Sequence, residues 1–161
     1  MNYETLAEIE WKVADWFGIR THIIVPNISW GMLLHECDLA VLSPTGYLWE
    51  VEIKTSKADL VRDKSKRKWL FYKERKIRKL WFAIPEKLLN AIEHIPTFAG
   101  VLTVSQHGLV HEIRKPEVNN LAPKLTEAQK FNLARLGTMR IWKLKRKLIE
   151  MEKKDGNKDG H

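Results

Sequence analysis

The 161-residue chain is long enough to bury a core of its own, and a composition of 44% hydrophobic and 30% charged residues excludes a disordered or fibrous protein. Its formal net charge of +8 is compatible with a polyanionic partner, and also with a basic surface that only aids solubility. The single cysteine excludes an internal disulfide, and we find neither a signal peptide nor an apolar run of bilayer length, so we expect a cytoplasmic protein without a membrane partner.

The first predicted element is an amphipathic helix over residues 4–17. Its apolar side chains recur at helical spacing and form one stripe, made by Leu6, Ile9, Val13, Trp16 and Phe17. Glu10 falls inside this stripe, where a carboxylate needs a partner. Glu10 is therefore either a salt-bridged or rim residue, or an additional acid of the site formed by the strands that follow.

The next stretch predicts a first strand over residues 20–26, closed by Pro26, and then two strands joined by a tight turn at residues 43–46. The two strands of this hairpin carry acids where a buried strand is usually apolar: Glu36, Asp38, Glu50 and Glu52. Because strand side chains alternate between faces, the hairpin can bring Asp38 beside Glu52, with Lys54 next to both.

A third predicted feature is a basic helix that starts directly after the acidic strand. Ser56 and Asp59 have capping-box spacing, and the helix is expected to run to about residue 78. Lysines and arginines greatly outnumber acids in this stretch, which favours phosphate contact over a merely solvated helix face.

The remaining elements complete an α/β protein. We predict a strand over residues 79–84 that is buried on both faces and has a parallel partner, a short helix over 86–92, and antiparallel strands over 99–104 and 109–113. A long C-terminal helix is expected over residues 126–153, with a basic later half that is a phosphate-facing surface, a partner-binding surface or a solvated face. Its predicted packing residues are Phe131, Leu133, Ala134, Leu136, Ile141, Leu144 and Leu148. We expect one domain over residues 1–153 and a flexible polar tail over 154–161.

The acidic hairpin predicts a metal site. Two carboxylates suit Mg²⁺ or Mn²⁺, which keep water and phosphate oxygens in their other positions. Asp38 and Glu52 are the expected ligands, and the backbone carbonyl of Ile53 is a further candidate. An ammonium group at Lys54 can hold the attacking water and stabilise charge on a phosphoryl group. Glu10 is expected to bind a second metal ion or to orient a metal-bound water.

These residues resemble the signature of the PD-(D/E)xK nuclease superfamily: Asp38, then Glu52, Ile53 and Lys54 on the next strand, with Glu10 as the acid carried by the preceding helix. More closely, the segments that follow are similar to the MmcB-like group of bacterial DNA repair proteins: residues 38–40, 51–60, 68–72 and 82–86. The resemblance implies a restriction-endonuclease-like αβββαβ core with a mixed central sheet and flanking helices, and a DNA nuclease acting in repair or damage tolerance. The nucleic-acid-binding candidates are Lys57, Lys64, Lys68 and Tyr72.

Two positions depart from the pattern: Cys37 stands where the superfamily has proline, and Glu36 where the closer group has a basic residue. Lys68 and Tyr72 lie four residues apart on one helical face, a spacing that also suits core packing. The alternative function is a catalytically inactive module with the same fold that binds DNA or a repair-protein partner.

Overall fold

The computed structural model describes residues 5–28, 36–64 and 76–156 of the chain. Within these ranges, six strands form one mixed sheet: β1 (Ile23–Ile28), β2 (Cys37–Leu42), β3 (Leu48–Ile53), β4 (Lys79–Pro85), β5 (Gly100–Val104) and β6 (Val110–Arg114). The helices are α1 (Leu6–Phe17), α2 (Lys57–Lys64), a 3₁₀ helix (Glu86–His94) and α3 (Glu127–Gly156). Strand order in the sheet follows the chain, with β3, β4 and β5 parallel and the other neighbouring pairs antiparallel. The predicted α/β class and the order αβββαβ are confirmed.

Helix α1 begins at a capping box. The Thr5 hydroxyl accepts a hydrogen bond from the Glu8 N–H, and the Glu8 carboxylate accepts one from the Thr5 N–H. Ile9, Val13 and Phe17 are buried against the sheet, as the stripe predicted. Leu6 and Trp16, which the same stripe includes, are 48% and 40% exposed. They lie at the margin of the stripe, so the sheet covers only part of each side chain.

The predicted hairpin joins β2 and β3. The Ser43 N–H donates to the Tyr47 carbonyl, and Gly46 takes φ of 90°, a left-handed conformation that glycine adopts without a Cβ clash. The register pairs Leu39 with Val51. Asp38 and Glu52 are therefore the next residues toward the open end of the hairpin, at the same level of the sheet.

Strand β1 extends past Pro26, which was predicted to end it. Pro26 pairs with Leu39 of β2, and the strand continues to Ile28. Proline is tolerated here because β1 lies at the edge of the sheet, where an N–H is not needed on the outer side. Asn27 has φ of 52°, which marks a local irregularity between the pairs Pro26–Leu39 and Ile28–Cys37.

Helix α2 begins as predicted, with the Asp59 N–H donating to the Ser56 hydroxyl and the hydroxyl donating to the Asp59 carboxylate. Residues 65–75 lie outside the described ranges, so the middle of the predicted helix is not compared. Residues 76–78 are not helical, and the prediction of a helix to residue 78 is wrong at this end. The Arg78 N–H bonds to the Leu48 carbonyl at the start of β3, which aligns the chain for β4.

The two faces of the sheet bury three apolar clusters. Helix α1 covers one face and packs on alternate residues of β2, β3 and β4, among them Leu39, Val51 and Trp81. On the other face, α2 and the 3₁₀ helix cover β4 and β5, and α3 covers β1 and β2. Strand β4 is buried on both faces, as its apolar sequence predicted.

A close contact at the start of β5 gives a prediction about stability. A Cβ atom at Gly100 would lie 2.5 Å from Cε3 of Trp81 and 2.9 Å from Cδ of Pro116. Both neighbours are rigid rings, so they cannot move aside without disturbing β4. We expect Gly100→Ala to lower the free energy of unfolding by about 2 kcal/mol in urea denaturation. Gly137→Ala, whose Cβ would meet only Val25 Cγ2 at 3.3 Å, is the milder comparison.

Helix α3 begins at the predicted capping box, in which the Thr126 and Gln129 side chains bond to each other's backbone N–H. It continues to Gly156, so three residues assigned to the flexible tail are helical. Leu133 is fully buried and Leu136 partly buried, as predicted. The prediction is wrong for the other large side chains of this set. They are 59–69% exposed: Phe131, Ile141, Leu144 and Leu148. Helix α3 contacts the sheet mainly at β1. Because the helix is longer than that strand, its later turns extend past the sheet and stay exposed.

Candidate active site

The site lies at the open end of the β2–β3 hairpin. On one side of β3, the Lys54 N–H donates to the Ala83 carbonyl and continues the pairing with β4. On the other side, the Ile53 N–H donates to Oδ2 of Asp38 at 2.7 Å. A side-chain carboxylate thus takes the place of a backbone acceptor, and this bond fixes Asp38 beside β3. The observed contact of Ile53 is made by its N–H, and the role of its carbonyl as a ligand stays a prediction.

Glu52 and Lys54 form the second contact of the site. Lys54 Nζ donates to Oε2 of Glu52 at 2.8 Å, and the two side chains are only 13% and 5% exposed, respectively. They are two residues apart on one strand, so both extend from the same face. An ion pair this shielded from solvent is electrostatically strong and costly to break on one side. The predicted approach of Lys54 to Glu52 is observed, and the register places Asp38 opposite Glu52. That the three side chains act as one site stays a prediction.

Glu10 approaches the site from α1. It is partly exposed and lines a groove with Asn27 and Arg140. Burial raises the pKa of Glu10 above its usual value, and the negative charge of Asp38 raises it further. The role of Glu10 as an additional acid of the site stays a prediction.

The raised pKa of Glu10 predicts the pH dependence of stability in metal-free buffer. Because the folded-state pKa exceeds the unfolded one, the native state binds more protons, and stability falls as pH rises above the unfolded pKa. We expect Glu10→Gln to raise the melting temperature at about pH 7 and to leave it unchanged at about pH 4. Thermal unfolding with a chelator present measures both, and Glu112→Gln, at an exposed position of β6, serves as the control. An equal shift at both pH values would contradict the assignment.

The donor set is compatible with a hard divalent cation. Carboxylate oxygens are the ligands that Mg²⁺ and Mn²⁺ prefer, and such ions are commonly held by one or two carboxylates together with water and phosphate oxygens. Asp38 and Glu52 supply such a pair at the strand ends. In the described ranges, no group of three or more His, Cys, Asp or Glu side chains has the arrangement of a metal site. The fit therefore rests on the chemistry of two carboxylates.

The predicted nucleic-acid-binding residues are only partly described. Lys57 is exposed in the first turn of α2, directly after the acidic strand. Lys64 is the last residue of α2, and its side chain lies outside the described part. Lys68 and Tyr72 fall within residues 65–75, which the structure does not describe. Of the four predicted residues, Lys57 is therefore the one whose side chain the structure describes.

Two residues near the site were not singled out as site residues from the sequence. Glu50 is fully buried on β3, two residues before Glu52 and on the same face. Arg140 of α3 donates from Nη2 to the Asn27 carbonyl at 2.6 Å. Asn27 and Asp38 lie between the same two residue pairs of β1 and β2, so Arg140 braces the strand next to Asp38. The acidic pattern contained Glu50, whereas no local signal connects Arg140 to a strand 113 positions away.

The fold and site define an α/β protein with a mixed sheet and a carboxylate–lysine cluster at the ends of two adjoining strands. Residues 7–148 match the family described as "DNA repair protein MmcB-like", and the chain belongs to this MmcB-like family. A protein of unknown function from Silicibacter pomeroyi has a similar solved structure, with a TM-score of 0.61 and 21% identity over 100% of this chain and 95% of that one. This likeness supports the fold. A search of curated proteins found no significant match.

Among the described residues, no helix is both long and apolar enough to span a bilayer. The longest, α3, has 30 residues, but its sequence is rich in lysine and arginine.

Proposed function

We propose that this protein is a Mg²⁺- or Mn²⁺-dependent DNA nuclease of the PD-(D/E)xK type that hydrolyses phosphodiester bonds in DNA repair or damage tolerance. The observation that carries the proposal is the cluster of Asp38, Glu52 and Lys54 on adjoining strand ends. The order αβββαβ and membership in a DNA repair family support it.

Each residue of the cluster has a role that its contacts support. Asp38 and Glu52 present the carboxylates that would hold the cation. The backbone N–H of Ile53 orients the Asp38 carboxylate, which limits the side-chain freedom lost on binding. The Lys54 ammonium stabilises negative charge on the phosphoryl oxygens and positions the attacking water. The hydrogen bond from Lys54 Nζ to Glu52 holds the ammonium group in position for this interaction with the phosphate.

When bound, the cation supplies charge neutralisation at the phosphate and lowers the pKa of a bound water. Glu10 stands at the side of the site where α1 meets the groove, and we assign it a supporting role through the orientation of water. Lys57, at the start of α2, would contact a phosphate of the bound strand.

The experiment that tests the proposal is a cleavage assay with purified protein. Single-stranded, duplex and branched DNA labelled at one end are incubated with Mn²⁺, Mg²⁺, or a chelator. We expect products with Mn²⁺ and Mg²⁺ and none with the chelator. Cleavage that persists at the same rate in chelator would remove the cation from the mechanism.

A second candidate function is a DNA-binding or repair-partner-binding module with the same fold that does not cut. The observation that favours it is the direct ion pair of Lys54 with Glu52, which balances that carboxylate without a cation. Titration calorimetry with Mn²⁺ discriminates the two functions. Binding at millimolar concentration or below supports the nuclease, and no heat of binding together with DNA affinity supports the module.

A further inference from the structure

A groove runs from the candidate active site to helix α3. Its volume is about 380 Å³, and Glu10, Pro26 and Asn27 line the side next to the strand ends. The opposite side is lined by three cations of α3, Arg140, Lys143 and Lys147. The groove therefore has one acid, Glu10, at one end and a mainly basic wall along the helix, in which Leu144 also lies. Asp38 lies next to the groove, opposite Asn27 in the β1–β2 register.

The basic wall continues the face by which α3 packs on the sheet. Leu133 is buried against β1 and β2, and Leu136 packs at the margin of the same cluster. Positions 133, 136, 140, 143 and 147 are separated by alternating steps of three and four residues. This spacing places the two leucines and the three cations on one side of the helix. The face thus changes from apolar to cationic where the groove begins.

The charges on this part of α3 are all of one sign. Residues 128–149 contain no aspartate or glutamate. Their basic residues are Lys130, Arg135, Arg140, Lys143, Lys145, Arg146 and Lys147. Glu127 and Glu150, just outside this segment, pair with Lys130 and Arg146. The segment still carries a large excess of positive charge, which attracts an anion and disfavours docking of a second copy of the same helix.

The guanidinium group of Arg140 is held in a fixed position beside the groove. Its Nη2 is held by the Asn27 carbonyl at 2.6 Å, so the guanidinium is fixed in orientation. Its Nε is buried and has no hydrogen-bond partner among the described residues. A buried donor without an acceptor is costly, and an anion in the groove would stabilise the guanidinium group through its positive charge.

The spacing of the cations indicates the size of the anion. Residues 140 to 147 span about 10 Å of helix axis. In a DNA strand with one phosphate per roughly 3.4 Å of axis, this length corresponds to about three phosphates. A single phosphate would meet one end of the wall only.

We propose that the groove binds the backbone of the DNA strand that enters the active site, with Arg140, Lys143 and Lys147 contacting successive phosphates. This inference rests on the proposed function, since it supplies the path by which a strand reaches Asp38 and Glu52. The acidic inner end repels the strand unless a cation is bound there, so the basic wall holds the flanking phosphates.

The test measures binding separately from cleavage. Fluorescence anisotropy of a labelled single-stranded oligonucleotide is recorded with Ca²⁺ in place of Mn²⁺ at several salt concentrations. The test variant is Lys143→Gln/Lys147→Gln, because both side chains are exposed and their loss leaves the Arg140 anchor intact. The matched control is Lys145→Gln/Arg146→Gln, which removes the same charge from other sides of the same helical segment. It loses an exposed ion pair of 3.7 Å and the contact of Lys145 Nζ with the Trp142 ring.

We expect the test variant to lose about tenfold in affinity at low salt, with a log–log salt slope shallower by about one unit, and the control to change less than about twofold. Equal losses in both variants would assign the effect to net charge and overturn the groove. Displacement of the oligonucleotide by inorganic phosphate at equal phosphate concentration would indicate a single-anion site and overturn a strand path.

Failure of the two proposals is distinguishable in the same set of measurements. If the wild type cuts DNA with Mn²⁺ and the test variant binds and cuts as well as the wild type, the groove assignment fails and the nuclease stands. If the wild type cuts nothing while the test variant alone loses binding, the groove stands as a DNA surface and the nuclease fails.

Discussion

Replacing Asp38 with asparagine is expected to reduce Mn²⁺-dependent DNA cleavage by about a thousandfold or more. The amide is nearly the same size as the carboxylate and can still accept the Ile53 N–H, so the strand ends keep their arrangement. It lacks the negative charge that a divalent cation requires. The measurement is the single-turnover cleavage rate at saturating protein, together with a Mn²⁺ titration by calorimetry, in which the affinity falls in parallel.

Asp15→Asn is the matched control for this substitution. Asp15 lies exposed on α1, so its variant changes the net charge by the same amount away from the site. The control is expected to cut at the wild-type rate, and both variants to unfold at similar temperatures. A rate for Asp38→Asn within threefold of the wild type would remove this residue from the proposed mechanism.

The second large effect is expected for Lys54→Met, which removes the ammonium and keeps most of the side-chain length. We expect the cleavage rate constant to fall by about a hundredfold or more, because charge on the phosphoryl oxygens loses its partner. The affinity for DNA should change little, since one partly buried lysine contributes little to strand binding. Glu52 loses its ion pair, so stability is expected to fall by about 1–3 kcal/mol. Quenched time-course assays measure the cleavage rate constant, and urea unfolding measures the stability.

Two further variants distinguish a role of Lys54 in cleavage from a role in stability alone. Lys115→Met removes an exposed lysine and should cut normally. Lys54→Arg keeps the positive charge but replaces a compact ammonium with a planar fork, so we expect stability to recover more than activity. If Lys54→Met cuts at the wild-type rate while its stability falls, the lysine only balances Glu52, and the non-cutting module becomes the better description.

Much of the fold follows from local patterns in the sequence. The alternation of acidic and apolar residues around the turn at Gly46 predicted the β2–β3 hairpin. The two-residue period places the apolar residues of each strand on one face, and the tight turn sets the register that pairs Leu39 with Val51. The capping residues Thr126 and Ser56 predicted where two helices begin, since each satisfies backbone donors within its own first turn. The convergence of Asp38 with Glu52 was predictable for the same reason, as both lie on a single hairpin.

Element ends and helix contacts were less predictable, because they depend on partners far away in the sequence. Pro26 was expected to end β1 and instead lies within it, since the edge position frees it from the need to donate. Helical spacing correctly placed Leu133 in the core, yet the side chains of Ile141 and Leu148 are 63% and 59% exposed. Periodicity indicates which sides of a helix are apolar, whereas the extent of the sheet decides how many turns are covered.

The sequence by itself determined the α/β class, the acidic hairpin and its neighbouring lysine, because these depend on residues close together in the chain. Only the tertiary structure decided that Arg140 reaches the Asn27 carbonyl and that a basic wall of α3 lines the same groove as Glu10 of α1. That arrangement requires the packing of a C-terminal helix on an N-terminal strand, and long-range packing of this kind leaves no periodic signal in the sequence.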